Sequence, residues 1–146
     1  MTFRAIVIDD MMFCRDMLTD FLEDRGYQVL SYPDITSCPL LPAGNFESDQ
    51  TAPYADFLLT DNRMPYMQGL DFLELQCQGD GKINIFSKAI FSAHWTLEEL
   101  KRAQQLHCKI FHKPYDLNKL SHWLDEQEQK IPSGRKLIDL DKVMNR

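Results

Sequence analysis

The sequence predicts a doubly wound α/β domain, with five parallel strands in the order 2-1-3-4-5 and helices on both faces of the sheet. Three observations lead there. Short apolar runs alternate with amphipathic segments along most of the chain, the rhythm of strands joined by helical crossovers. The runs are apolar enough to be buried on both faces, as parallel strands are. The length, 146 residues, suits one compact domain and is too short for two ordinary ones.

The elements follow in order. Residues 3–8 form the first strand and end in Asp9 and Asp10. Residues 12–25 form a helix with Phe13, Met17, Leu18, Phe21 and Leu22 at helical spacing, Gly26 capping its end. Residues 27–32 are the second strand and 55–60 the third, which ends in Asp61. Residues 69–76 are a helix carrying Leu70, Phe72, Leu73 and Leu75. Residues 88–92 are the fourth strand. Thr96 with Glu99 three residues on is a capping box opening a helix to residue 105. Residues 109–112 are the fifth strand, and 116–129 the last helix, with Leu117, Leu120, Trp123 and Leu124 as its apolar stripe. Between the second and third strands, Pro33, Pro39, Pro42, Gly44 and Pro53 leave room for a short helix at most. That connection is expected to be long and partly irregular, so the second helix of the usual pattern is shortened.

Composition narrows the function classes. The chain is 44% hydrophobic and 26% charged, with no uncharged apolar span long enough for a membrane helix. Its net charge of −6 would repel phosphate backbones, so this domain is not expected to bind nucleic acid. Cys14, Cys38, Cys77 and Cys108 lack CxxC spacing and read as free, mostly buried thiols of a reducing cytoplasm.

The chemistry lies at the strand ends. In doubly wound sheets the ligand site lies beyond the carboxyl ends of the strands, where strand order reverses. Here that point falls between strands one and three, which gathers Asp9, Asp10 and Asp61. Three ionised carboxylates in one pocket raise one another's pKa. A hard divalent cation with oxygen ligands relieves this, and magnesium commonly meets phosphate. The fourth strand delivers Ser92, followed by Ala93; the fifth delivers Lys113, followed by Pro114, whose peptide bond could be cis. Acids, hydroxyl and ammonium at separate strand ends suit phosphoryl transfer, with Asp61 as the nucleophile forming an acyl phosphate.

These motifs together resemble the receiver domain of two-component response regulators, in particular the chemotaxis type: Asp9-Asp10, then Asp61 with Met64-Pro65 and Gly69, then Ser92-Ala93, then Lys113-Pro114. The resemblance covers about residues 3–129, so residues 1–130 are read as the receiver and 131–146 as a C-terminal tail or a truncated linker. It implies a flavodoxin-like sheet and a phosphorelay switch that catalyses only its own phosphorylation and dephosphorylation. Asp61 would accept a phosphoryl group from a histidine kinase or phosphotransfer protein. Asp10 and Asp61 would bind Mg2+ directly, Asp9 through water and Arg63 through its backbone carbonyl. Ser92 would bond the phosphoryl group and Lys113 would pair with it. Arg63 and His94 occupy positions that tune phosphate lifetime. We expect Arg63 to reach over the pocket and protonated His94 to favour anions. Ile110 departs from the family, which usually places an aromatic switch residue there; neighbouring Phe111 should face the other side of the sheet.

Two other readings compete with this one. A haloacid-dehalogenase-type phosphatase also starts from a strand-end Asp but wants a second Asp two residues on, where this chain has Arg63. A receiver-like module that binds protein without phosphate is the alternative that Ile110 sustains. The tail is too short for a DNA-binding domain, so output is expected through a downstream protein target, or through an output domain if the chain is cut in a linker. Leu137, Ile138, Leu140 and Val143 could also pack on a second copy and give a homodimer.

Overall fold

The strands β1 (Arg4–Ile8), β2 (Gln28–Tyr32), β3 (Ala55–Asp61), β4 (Ile85–Ser92) and β5 (Lys109–His112) run parallel in the order β2-β1-β3-β4-β5. The computed structural model describes residues 1–38, 54–78 and 85–141, side chains excepted at 75–78. Among the described residues, four α-helices connect or follow the strands: α1 (Met12–Asp24), α2 (Gly69–Gln78), α3 (Leu97–Gln105) and α4 (Leu117–Lys130). The predicted sheet order is the observed one. Between β2 and β3, Asp34 accepts from the backbone N–H of Ser37 and caps a single 3-10 turn, Ile35–Ser37. The rest of the connection predicted to be irregular lies outside the described residues, as do Val143 and the side chains of Leu75 and Cys77.

Strand alternation divides the interior into two cores. Ile6, Ile8, Leu58 and Ile90 face Leu70 and Leu73 of α2 and Ala103 of α3. Val7, Phe57, Leu59, Phe91 and Phe111 face Leu18 and Leu22 of α1 and Leu120, Trp123 and Leu124 of α4. All seven residues of β3 are buried, as the central strand of a covered sheet requires. The alternation expected for β5 holds: Phe111 enters the second core, while Ile110 packs against the first.

The stripe read on the first helix is only partly buried. Leu18 and Leu22 are in the core, but Phe13 is 77% exposed and Met12 66%. The first turn of α1 sits at the rim where the strands end, so it has little sheet to face. Periodicity identifies the helix without showing where the sheet beneath it stops.

Beyond α4 the chain wraps round the opposite, N-terminal end of the sheet. Ile131 packs in one core and Ile138 in the other. Between them Arg135 donates to both carboxylate oxygens of Asp56, at 2.8 and 2.6 Å, and to the Thr2 carbonyl. Asp56 is fully buried and also accepts from the backbone N–H of Arg4. Arg4 in turn donates to the carbonyls of Tyr54 and Ile138. The Arg135 guanidinium lies 5.7 Å from the centre of the Phe3 ring. The tail through residue 141 is thus tied to its own domain by a buried ion pair and two apolar anchors.

Candidate phosphoacceptor pocket

Register brings the carboxylates together. Ile8 of β1 pairs with Thr60 of β3, so the residue after each, Asp9 and Asp61, stands at the same sheet edge. Asp9, Asp10 and Asp61 can each place a carboxylate oxygen within 4.8 Å of the others. Asp9 and Asp61 are buried, while Asp10 is exposed. Ser92, which ends β4, is also buried. The backbone N–H of Lys113 bonds the Ser92 carbonyl at 2.9 Å, placing Lys113 beside the same edge. The Lys113–Pro114 peptide bond is cis.

Lys113 divides its charge between two acids. Its Nζ lies 3.1 Å from Asp9 Oδ2 and 3.4 Å from Asp61 Oδ1. Asp9 also accepts from the Tyr115 hydroxyl at 2.7 Å and from the backbone N–H of Met11 at 2.9 Å. Asp9 is therefore the more fully engaged carboxylate. Burial pushes Asp61 up to about 6, with Asp9 and Asp10 adding to the rise and Lys113 opposing it. Burial works against the Lys113 ammonium, but Asp61 and Asp9 outweigh it and hold its pKa above the ordinary lysine value. The Tyr115 phenol is pushed upward by burial and by its bond to Asp9, which keeps it a donor.

The loop after Asp61 is closed by backbone and side-chain bonds. Gly69 N–H bonds the Asn62 carbonyl, and Leu70 N–H bonds the Asn62 side chain. A Cβ on Gly69 would lie 2.7 Å from the Asp61 carbonyl oxygen, closer than real Cβ atoms approach, so glycine is required there by contact. Tyr66, in the same loop, has a positive φ of 72° and is exposed.

Arg63 takes a different course from the one expected over the pocket. Its guanidinium donates to Glu99 Oε1 at 3.2 Å and to the His94 carbonyl at 3.4 Å. Glu99 also accepts from the Asn62 side chain at 2.8 Å while completing the capping box with Thr96. Burial would raise the Glu99 carboxyl, but the bonds from Thr96, with Arg63 and Asn62, hold it below the ordinary value. The helix cap and the loop after Asp61 are thereby joined. His94 is exposed and offers the pocket rim its backbone carbonyl, which also accepts from Ser92 Oγ at 2.9 Å.

Thus Asp9, Asp10, Asp61, Ser92 and Lys113 converge on one edge, and Ile110, on β5, packs against the first core. Tyr115 was missed by sequence reasoning; its signal is its place two residues beyond Lys113, across the proline. The link from Asn62 to Glu99 was not legible, because Glu99 was accounted for by capping alone. The donor set fits magnesium by its chemistry: three hard carboxylates close enough to share one ion, with Asp61 raised in pKa first by burial and then by Asp9 and Asp10 beside it.

Comparison with known proteins agrees with this geometry. No family model matches the chain. It is 26% identical over 131 residues to the chemotaxis protein CheY-3 of Vibrio cholerae, covering 88% of this chain and 93% of that protein. The solved structure of Vibrio cholerae CheY4 superposes with a TM-score of 0.66 at 20% identity, covering 86% and 98% of the two chains. A CheY-like response regulator receiver domain protein from Methanospirillum hungatei gives 0.66 at 22% identity, covering 90% and 100%. The resemblance to response regulator receiver domains therefore holds in sequence and, for the solved structures, in fold.

Proposed function

We propose that this receiver is a phosphorylation-activated switch, with Asp61 as phosphoacceptor for a histidine kinase or phosphotransfer protein. The observation that carries this is the position of Asp61: buried at the end of β3, within reach of Asp9, Asp10 and the Lys113 ammonium. With a pKa near 6, its carboxylate is mainly ionised at neutral pH and available as a nucleophile. An Asp61 oxygen attacks phosphorus, the O–P bond forms, and the donor's P–N bond breaks. The electron pair leaves with the donor imidazole.

Lys113 then pairs with the transferred oxygens, exchanging part of its contact with Asp9 and Asp61. Ser92 donates its hydroxyl to the same group. Tyr115 holds Asp9 in place through its short hydrogen bond. Asp10 and Asp61 would hold Mg2+ directly, with Asp9 acting through water and Arg63 through its carbonyl. The ion, when bound, neutralises charge on the phosphoryl oxygens.

The readout surface we favour adjoins Lys113. A groove of about 620 Å³ between β5 and α4 is lined by Lys109, His112, Lys113, Lys119, His122 and Trp123, among others. Three lysines and two histidines face two acids there, Asp116 and Glu126, which suits a protein target with acidic side chains, and Lys113 is shared with the phosphorylation site. Among the described residues no helix is long and apolar enough to cross a membrane.

Incubation with acetyl phosphate and Mg2+, followed by intact mass measurement, tests the proposal. A gain of one phosphoryl group that Asp61→Asn abolishes is expected. No gain with acetyl phosphate or with phosphohistidine donors would favour the phosphate-independent binding module, which Ile110 at the usual aromatic position supports.

A further inference from the structure

The pocket's hydroxyl is tied to one particular loop. Ser92 Oγ donates to the His94 carbonyl at 2.9 Å, and the His94 backbone N–H lies 3.3 Å from the same Oγ. Arg63 reaches the same carbonyl from β3's loop. The next residue, Trp95, sends its indole Nε1–H to the Phe111 carbonyl of β5 at 3.1 Å. Trp95 is half-buried and packs against the same core cluster as Ile110. The loop after β4 is thus fixed at one end by the pocket hydroxyl and at the other by an indole anchored on the edge strand.

We infer that Trp95 is the positioning residue that carries the state of Asp61 to β5. The inference rests on the reading of Asp61 as phosphoacceptor. A phosphoryl group offers charged acceptor oxygens, which are stronger partners for a hydroxyl than a peptide carbonyl. When Ser92 turns to them, the His94 carbonyl loses its nearest side-chain donor. The turn of backbone holding Trp95 is then released on the pocket side. The indole shifts against the first core, and its bond to the Phe111 carbonyl lengthens or breaks. That carbonyl belongs to the peptide unit whose nitrogen is His112, a residue of the β5–α4 groove. The route needs no aromatic side chain at position 110, because Trp95 supplies a large ring against that part of the core from the neighbouring loop.

The test is a nitrogen–proton correlation spectrum of the full chain before and after phosphorylation by acetyl phosphate with Mg2+. Intact mass on the same samples gives the phosphorylated fraction. The chain has two tryptophans, Trp95 and Trp123, so two indole N–H signals are read, assigned with Trp95→Phe. The Trp95 indole signal and the His112 amide signal should both move in proportion to the phosphorylated fraction. The Trp123 indole signal should move far less. In Trp95→Phe, which keeps a ring but loses the donor, the His112 displacement per phosphorylated molecule should fall by at least half. A stoichiometric mass gain with an unmoved Trp95 indole signal overturns the inference while leaving the phosphoacceptor reading intact, and that wild-type measurement stands even if the variant folds poorly. An undiminished His112 displacement in folded Trp95→Phe also overturns it. Absence of any mass gain removes the phosphoacceptor reading and this inference together.

Discussion

Replacing Arg135 with alanine isolates the ion pair at the closed end of the sheet. Asp56 is fully buried and receives two guanidinium bonds from Arg135, with the Arg4 backbone N–H as the one further donor among the described residues. Removing one partner of such a pair leaves a buried charge that the remaining donor cannot satisfy. The expected loss is about 3–5 kcal/mol, against a typical domain stability of roughly 5–15 kcal/mol. For a chain of this length each kilocalorie lowers the midpoint by roughly 2–4 °C, so the melting temperature should fall by roughly 6–20 °C. Urea unfolding followed by far-ultraviolet circular dichroism measures it directly. Arg135→Met combined with Asp56→Asn should recover much of the loss, since the buried charge leaves with its partner. A loss in Arg135→Ala below about 1 kcal/mol, the size of an exposed pair, would refute the reasoning and detach the tail from the fold.

Three further outcomes follow from the pocket. Asp61 has a folded pKa of about 6 against an ordinary 3.8. Because it is raised, its contribution is present at low pH and lost as pH rises through about 6. The metal-free protein should lose stability across that window by on the order of 2 kcal/mol, allowing for screening at the pocket mouth. Asp61→Asn should flatten this part of the pH profile, as denaturant midpoints at several pH values would show. Gly69→Ala should cost about 1–3 kcal/mol, because the added methyl meets the Asp61 carbonyl. It should also slow acetyl phosphate labelling by displacing the acceptor loop, read from the rate of mass gain. Tyr115→Phe removes a 2.7 Å bond to buried Asp9 and should lower stability by about 1–2 kcal/mol in urea titrations.

How far the sequence alone reached depends on the range of the interactions involved. Strand identity and order rest on local apolar runs and on the handed logic of parallel sheets, both written into short stretches. The five pocket residues were legible because they stand at the carboxyl ends of four strands, Asp9 and Asp10 sharing one, and parallel strands bring such ends together. Features set by distant partners were not. Arg63 carries no sequence mark of its bond to Glu99, 36 residues away. Phe13 has the right spacing for a core residue but lies beyond the sheet that would cover it. The tail's apolar pattern was visible, but not that Ile138 is buried in the domain's own core. That Asp56 needs a cation could be known only once β3 was seen to bury it. The alternation argument on β5 worked, since period two is a purely local property.

We propose that Asp61, among three neighbouring carboxylates, is the one that accepts the phosphoryl group. Borohydride converts an aspartyl phosphate to homoserine, so reduction after acetyl phosphate treatment, followed by peptide sequencing, locates the acceptor. Homoserine at position 61, with Asp9 and Asp10 unchanged, is the predicted result. Homoserine at position 9 or 10, or at none of the three, would contradict the account.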